Sequence, residues 1–136
     1  MGNWTMVVII IISLVGSLLT YFFADKVKWT AVKSSSLLSL FFACSSLVLN
    51  NYVPYDNELY TLCFFGASFV GMTKITNLSY FWIGAGGITY GLLFNTVYQY
   101  FSNIGGALGS TACISIIVVF LMHKVFNKYS NKNSVQ

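Results

Sequence analysis

Short polar gaps divide the chain into five apolar stretches, each near the length that a helix needs to cross a membrane. The stretches fall at about 4–23, 30–49, 59–75, 78–97 and 105–124. A crossing takes about 20 mostly apolar residues, because each adds about 1.5 Å of rise. A soluble fold is excluded by charge: only 7% of the residues are charged and 57% are apolar. So few charges could not keep a surface of this size dispersed in water. The expected architecture is an all-α integral membrane protein, a compact bundle of five transmembrane helices. It forms one domain over residues 1–126, followed by a short polar cytoplasmic tail, 127–136.

The cations give this bundle a direction. The chain has seven lysines and no arginine: Lys26, Lys28, Lys33, Lys74, Lys124, Lys128 and Lys132. They fall in the first and third gaps and in the tail. The second gap, 50–58, has no lysine and holds Asp56 and Glu58. Lysine accumulates in cytoplasmic loops, so the N-terminus is expected outside and the C-terminus in the cytoplasm. The membrane is expected to be a plasma membrane or an inner membrane. The third stretch is the short one. If it turned back within the bilayer, the tail lysines would face away from Lys26, Lys28 and Lys33, so five crossings are favoured over four. Tyrosine and tryptophan near most stretch ends, such as Trp4, Tyr21, Trp29, Tyr80 and Tyr100, fit an interfacial belt. The first stretch lacks the basic flank of a signal peptide and is expected to be a retained span.

Several function classes are disfavoured. The net charge of +4 comes from loop and tail lysines, with no basic patch interleaved with stacking aromatics, so no nucleic-acid partner is expected. Cys44, Cys63 and Cys113 lie inside apolar stretches without a CxxC pattern, as packing residues do. No Asp, Glu or His falls in the middle of a stretch, whereas proton relays and metal-dependent membrane enzymes need such groups. An enzyme, a bound metal and a cofactor are therefore not expected.

Small residues carry the remaining information. Gly66 with Gly71, and Gly87 with Gly91, are expected to let helices approach closely, within or between subunits. Gly105 and Gly106 open the fifth stretch and are followed by Ser110 and Thr111. Such a start exposes backbone N–H groups at the positive end of a helix dipole, an arrangement that can hold an anion. A transport path would have to be neutral, lined by Ser68, Thr89, Asn95, Ser110 and Thr111. Asn95 ranks first, because a buried amide has four hydrogen-bonding positions to satisfy. A shift of 75 residues aligns Gly16 with Gly91, Leu18 with Leu93 and Ser35 with Ser110, a faint echo of an inverted repeat. Two functions are compatible with these features. One is a homo-oligomeric channel or transporter for a small ion or solute. The other is a non-catalytic subunit or anchor that assembles with a larger membrane complex.

Overall fold

The structure is a computed structural model that describes residues 3–28, 30–50, 57–73, 79–101 and 106–133. It holds five helices: α1 (Asn3–Lys26), α2 (Ala31–Asn50), α3 (Asn57–Gly71), α4 (Tyr80–Phe101) and α5 (Gly106–Asn133). No strand occurs among the described residues. The fold is all-helical, and each helix overlies one of the five apolar stretches.

Local chemistry sets the described helix ends. Lys28 has φ 54°, and this left-handed residue follows the end of α1. The Thr30 carbonyl then accepts both the backbone N–H and the hydroxyl of Ser34, each at 3.1 Å, which closes the first turn of α2. Glu58 stands in the first turn of α3, where an acid suits the helix dipole. At the other end of α3 the N–H of Thr73 reaches the Val70 carbonyl at 3.3 Å. The Ser79 carbonyl accepts from Trp82 at 3.0 Å and from Ile83 at 3.3 Å, starting α4.

Three helices contain segments long and apolar enough to cross a membrane: Trp4–Lys26, Ala31–Leu49 and Gly106–Lys128. The other two differ for separate reasons. With 15 residues, α3 spans about 22 Å, short of the roughly 30 Å of a hydrocarbon core. With 22 residues, α4 reaches about 33 Å, but four glycines, four tyrosines, Asn95 and Gln99 dilute its apolar character. The fifth helix runs past the expected end of its span, so residues 127–133 of the polar tail are a helical extension.

The short helix is the hub. It touches all four others, while α1 packs chiefly on α4 and α3, α2 on α3, and α5 on α4 and α3. The core gathers Ile9 from α1, Leu59, Cys63, Ala67 and Val70 from α3, Tyr90 and Phe94 from α4, and Ala112 from α5. Consecutive helices alternate in direction. Gly16 meets Ala67 and Gly71 meets Thr20, so α1 and α3 run parallel. Gly87 meets Ser17 and Gly91 meets Ile10, so α1 and α4 run antiparallel. Trp82 meets Phe126 while Gly86 meets Ile116, which makes α4 and α5 antiparallel as well. The alternation brings Lys26, Lys28, Lys33, Lys124 and Lys128 to one end of the bundle. Asp25 lies at that end too, and the Tyr80 hydroxyl donates to it at 2.8 Å.

Candidate functional site

The polar interior is built from hydroxyls, and most of them first satisfy their own helix. Ser13 donates to the Ile9 carbonyl at 2.7 Å, Ser17 to Leu14 at 3.0 Å and Thr20 to Gly16 at 2.8 Å. Thr89 donates to Ala85 at 2.8 Å, and Ser115 to Thr111 at 2.7 Å. Thr111 donates toward Ala107 at 2.8 Å and Leu108 at 2.9 Å. This back-bonding removes the desolvation penalty of a buried hydroxyl without needing a second helix. What these residues then bring to the interior is small size.

Glycines use that space. A Cβ at Gly71 would run into the Ser17 carbonyl oxygen and lie 2.7 Å from the Thr20 Cβ. A Cβ at Gly87 would meet the Ser17 hydroxyl and lie 3.0 Å from the Ser13 carbonyl. Gly91 faces the Ser13 hydroxyl at 3.0 Å and the Ile10 Cα at 3.2 Å in the same sense. Gly66 sits under the ring of Tyr90, with the phenol oxygen where a side chain would begin. All four glycines singled out in the sequence therefore pack helices of one chain together. Their faces are occupied and are not free to dock a partner. The α1 residues opposite them, Ser13, Gly16, Ser17 and Thr20, are a seam that sequence reading passed over. Its signal was present: small residues three and four apart within an aliphatic helix.

Among the described residues, two buried hydrogen-bonded nodes join helices. On α3, Ser68 directs its hydroxyl hydrogen to the Phe65 carbonyl at 2.6 Å, so its oxygen accepts from Ser35 at 2.7 Å and Ser39 at 3.4 Å on α2. The stacked rings of Phe42 and Phe64, 4.3 Å apart, continue the same α2–α3 contact. Between α1 and α3, the Ser13 hydroxyl lies 3.2 Å from the Cys63 sulfur.

Two buried polar atoms close no hydrogen bond among the described residues, the Tyr90 hydroxyl and the Asn95 Oδ1. Tyr90 is wholly buried with Phe94 stacked at a tilt beside it, 5.8 Å between centroids. Asn95 lies one turn beyond Gly91, so it extends the stripe of α4 that meets α1. Its carbonyl is the polar group that the packing leaves unsatisfied on that stripe.

The path residues expected from sequence are not gathered in one place. Ser68 joins α2 to α3, Thr111 is buried on α5, and Thr89 is half-buried on α4. Ser110 is exposed and donates to the Gly106 carbonyl at 3.0 Å. Gly106 has no neighbour within 4 Å of its Cβ position, and Gly105 lies outside the described residues. Two of the three aligned pairs of the internal echo occupy unlike surroundings: Gly16 packs on α3 but Gly91 on α1, and Ser35 is buried while Ser110 is exposed; Leu18 and Leu93 are both half-buried. Of the cysteines, Cys63 packs in the core, whereas Cys44 and Cys113 are exposed on the outside of α2 and α5. Apolar grooves mark the surface among the described residues. One of about 400 Å³ lies among Val8, Ile12, Phe42, Leu49 and Tyr60, and one of about 370 Å³ lies among Phe69, Thr73, Gly109, Ala112 and Ile116.

No protein-family model, curated protein or solved structure matches the chain. Its function is therefore read from its own residues.

Proposed function

We propose that the chain is a five-span protein of a plasma or inner membrane, N-terminus outside and C-terminus cytoplasmic. It acts as a homo-oligomeric channel or transporter that passes a small ion or neutral solute. The observation that carries this reading is the buried Asn95 carbonyl oxygen without a partner. A polar atom held in an apolar interior costs free energy unless something satisfies it, and a passing water, cation or solute does so. The small, back-bonded seam of α1 supports a second element of the reading. Ser13, Ser17 and Thr20 close the α1 seam against α3 and α4, so the conduit passes beyond that seam, at Asn95, and a second copy completes it. Selectivity then comes from neutral dipoles and width rather than charged rings.

The test is flux through liposomes that hold the purified chain, assayed with monovalent cations, anions and small neutral solutes. Asn95→Leu abolishes the flux while the oligomer persists. A monomer that conducts nothing contradicts the proposal.

A second reading is a non-catalytic subunit that assembles with a larger membrane complex. It is favoured by the self-satisfied hydroxyls and internally consumed glycines, which make a rigid scaffold. Co-purification of a fixed partner from native membranes, with no flux by the isolated chain, would select it.

A further inference from the structure

The outward face of α5 changes from apolar to basic along a single stripe. Ring contacts fix which side of this helix faces the bundle: His123 sets its ring edge-on to Trp82 of α4 at 5.0 Å, and Phe126 lies 6.3 Å from the same indole. Successive residues turn by about 100° around a helix. Lys124 and Lys128 therefore lie on the side away from α4, in line with Ile114, Ile117 and Leu121. All five are exposed. Lys132 follows at the same four-residue spacing in sequence. The stripe is thus apolar through Leu121 and carries lysine from Lys124 onward.

The lengths match a membrane boundary. Lys124 stands 18 residues beyond Gly106, about 27 Å along the helix, which is close to the thickness of the hydrocarbon layer. Lys128 is about 6 Å further on, within the depth of one headgroup layer. The face that meets acyl chains below Leu121 thus meets headgroups above it. Val125 and Phe126 remain more than half exposed among the lysines, as suits residues at the acyl–headgroup boundary. No acid occurs anywhere in α5 to neutralise the stripe. The other lysines of this end differ. Lys26, Lys28 and Lys33 belong to the α1–α2 corner, which makes no contact with α5, and they share it with Asp25.

We propose that the stripe carrying Lys124 and Lys128 is a binding surface for anionic phospholipid headgroups, which it selects over zwitterionic ones from the surrounding bilayer. The occupant follows from charge complementarity and from continuity, since the same stripe already faces lipid one turn earlier. The phosphate and its extra negative charge meet the ammonium groups, while the acyl chains lie along Ile114, Ile117 and Leu121. The inference rests on α5 crossing the membrane, as in the proposed function, and not on any transport activity.

The full chain is reconstituted in vesicles of phosphatidylcholine with one-fifth phosphatidylglycerol, and spin-labelled lipids report which headgroup occupies the protein surface. Attraction of one lysine to an anionic surface strengthens binding by roughly fivefold. The wild type should therefore hold labelled phosphatidylglycerol at least twice as strongly as labelled phosphatidylcholine, with the preference shrinking in high salt. Changing Lys124→Gln, Lys128→Gln and Lys132→Gln together should remove most of that preference. The corresponding changes at Lys26, Lys28 and Lys33 should leave most of it. Equal preference in the wild type, or equal loss in both triple variants, overturns the proposal. No preference in vesicles combined with capture of an acidic soluble protein assigns the stripe to that partner instead. Flotation after alkaline wash separates the two readings: a chain that stays inserted but shows no lipid preference refutes only the stripe, and a chain that washes off refutes the membrane topology with it.

Discussion

Gly66 and Tyr90 are the tightest pairing of side-chain volume in the molecule. The phenol oxygen of Tyr90 occupies the space that any Cβ at position 66 would need. Gly66→Ala should therefore destabilise the fold by about 1–3 kcal/mol, the usual cost of overpacking a closed core. Tyr90→Phe should change stability by no more than about 1 kcal/mol, because the hydroxyl it removes is buried and closes no well-formed hydrogen bond among the described residues. The double variant should recover part of the loss of Gly66→Ala. Thermal unfolding in detergent, followed by helical signal, measures all three, and an additive double variant would refute the contact. Ser68 makes a separate case, since its oxygen accepts from two serines of α2. Interhelical bonds in membranes average about 0.6 kcal/mol, so Ser68→Ala should cost roughly 1 kcal/mol and Ser35→Ala about half of that. A combined Ser35→Ala, Ser68→Ala variant that loses the sum of the two would show that they do not interact. At Lys28, glycine should stabilise by about 1 kcal/mol, because the left-handed φ of 54° penalises a Cβ.

At the scale of helices, the position of α3 explains both what the sequence revealed and what it hid. The five apolar stretches and their order were legible, because hydropathy over about 20 residues reports burial in any apolar medium. The boundaries of α1 and α2 came within three residues of the expected ones, 4–23 and 30–49. The role of α3 was not legible. Its shortness marked it as doubtful, yet it is the helix that every other one touches. Hydropathy cannot distinguish a helix surrounded by protein from one surrounded by lipid, since both environments are apolar. The packing glycines were visible as spacing, but their partners on α1 were not, since Ser13 and Ser17 read as ordinary hydroxyls in an aliphatic run. Asn95 was legible as an amide with several hydrogen-bonding positions, and its Oδ1 closes no hydrogen bond among the described residues. The hub position has a measurable consequence. Gly71→Ala brings a methyl group against the α1 backbone at Ser17 and should destabilise by about 1–3 kcal/mol. Gly109→Ala on α5 meets nothing within 4 Å and should be neutral or stabilising by up to about 1 kcal/mol through helix propensity. Thermal stability of the two variants in one detergent compares them, and similar losses would mean that α5 is as tightly enclosed as α3.

For the whole molecule, alternating helix directions and the shared lysine end are compatible with the proposed five-crossing topology. Five crossings put the α1–α2 corner and the end of α5 in the cytoplasm, with the second and fourth connections outside. Three helices are apolar and long enough to cross alone, so the proposal depends on α3 and α4 crossing with them. The short α3 can do so because it is enclosed by neighbours and need not match the bilayer by itself. Single cysteines placed at positions 3, 28, 56, 76, 103 and 132 of a cysteine-free variant, probed with an impermeant thiol reagent in intact cells, decide the matter. Five crossings predict that positions 3, 56 and 103 react from outside, and that 28, 76 and 132 react only after the membrane is opened. Positions 56 and 76 reacting from the same side would contradict it, because α3 would then turn back without crossing.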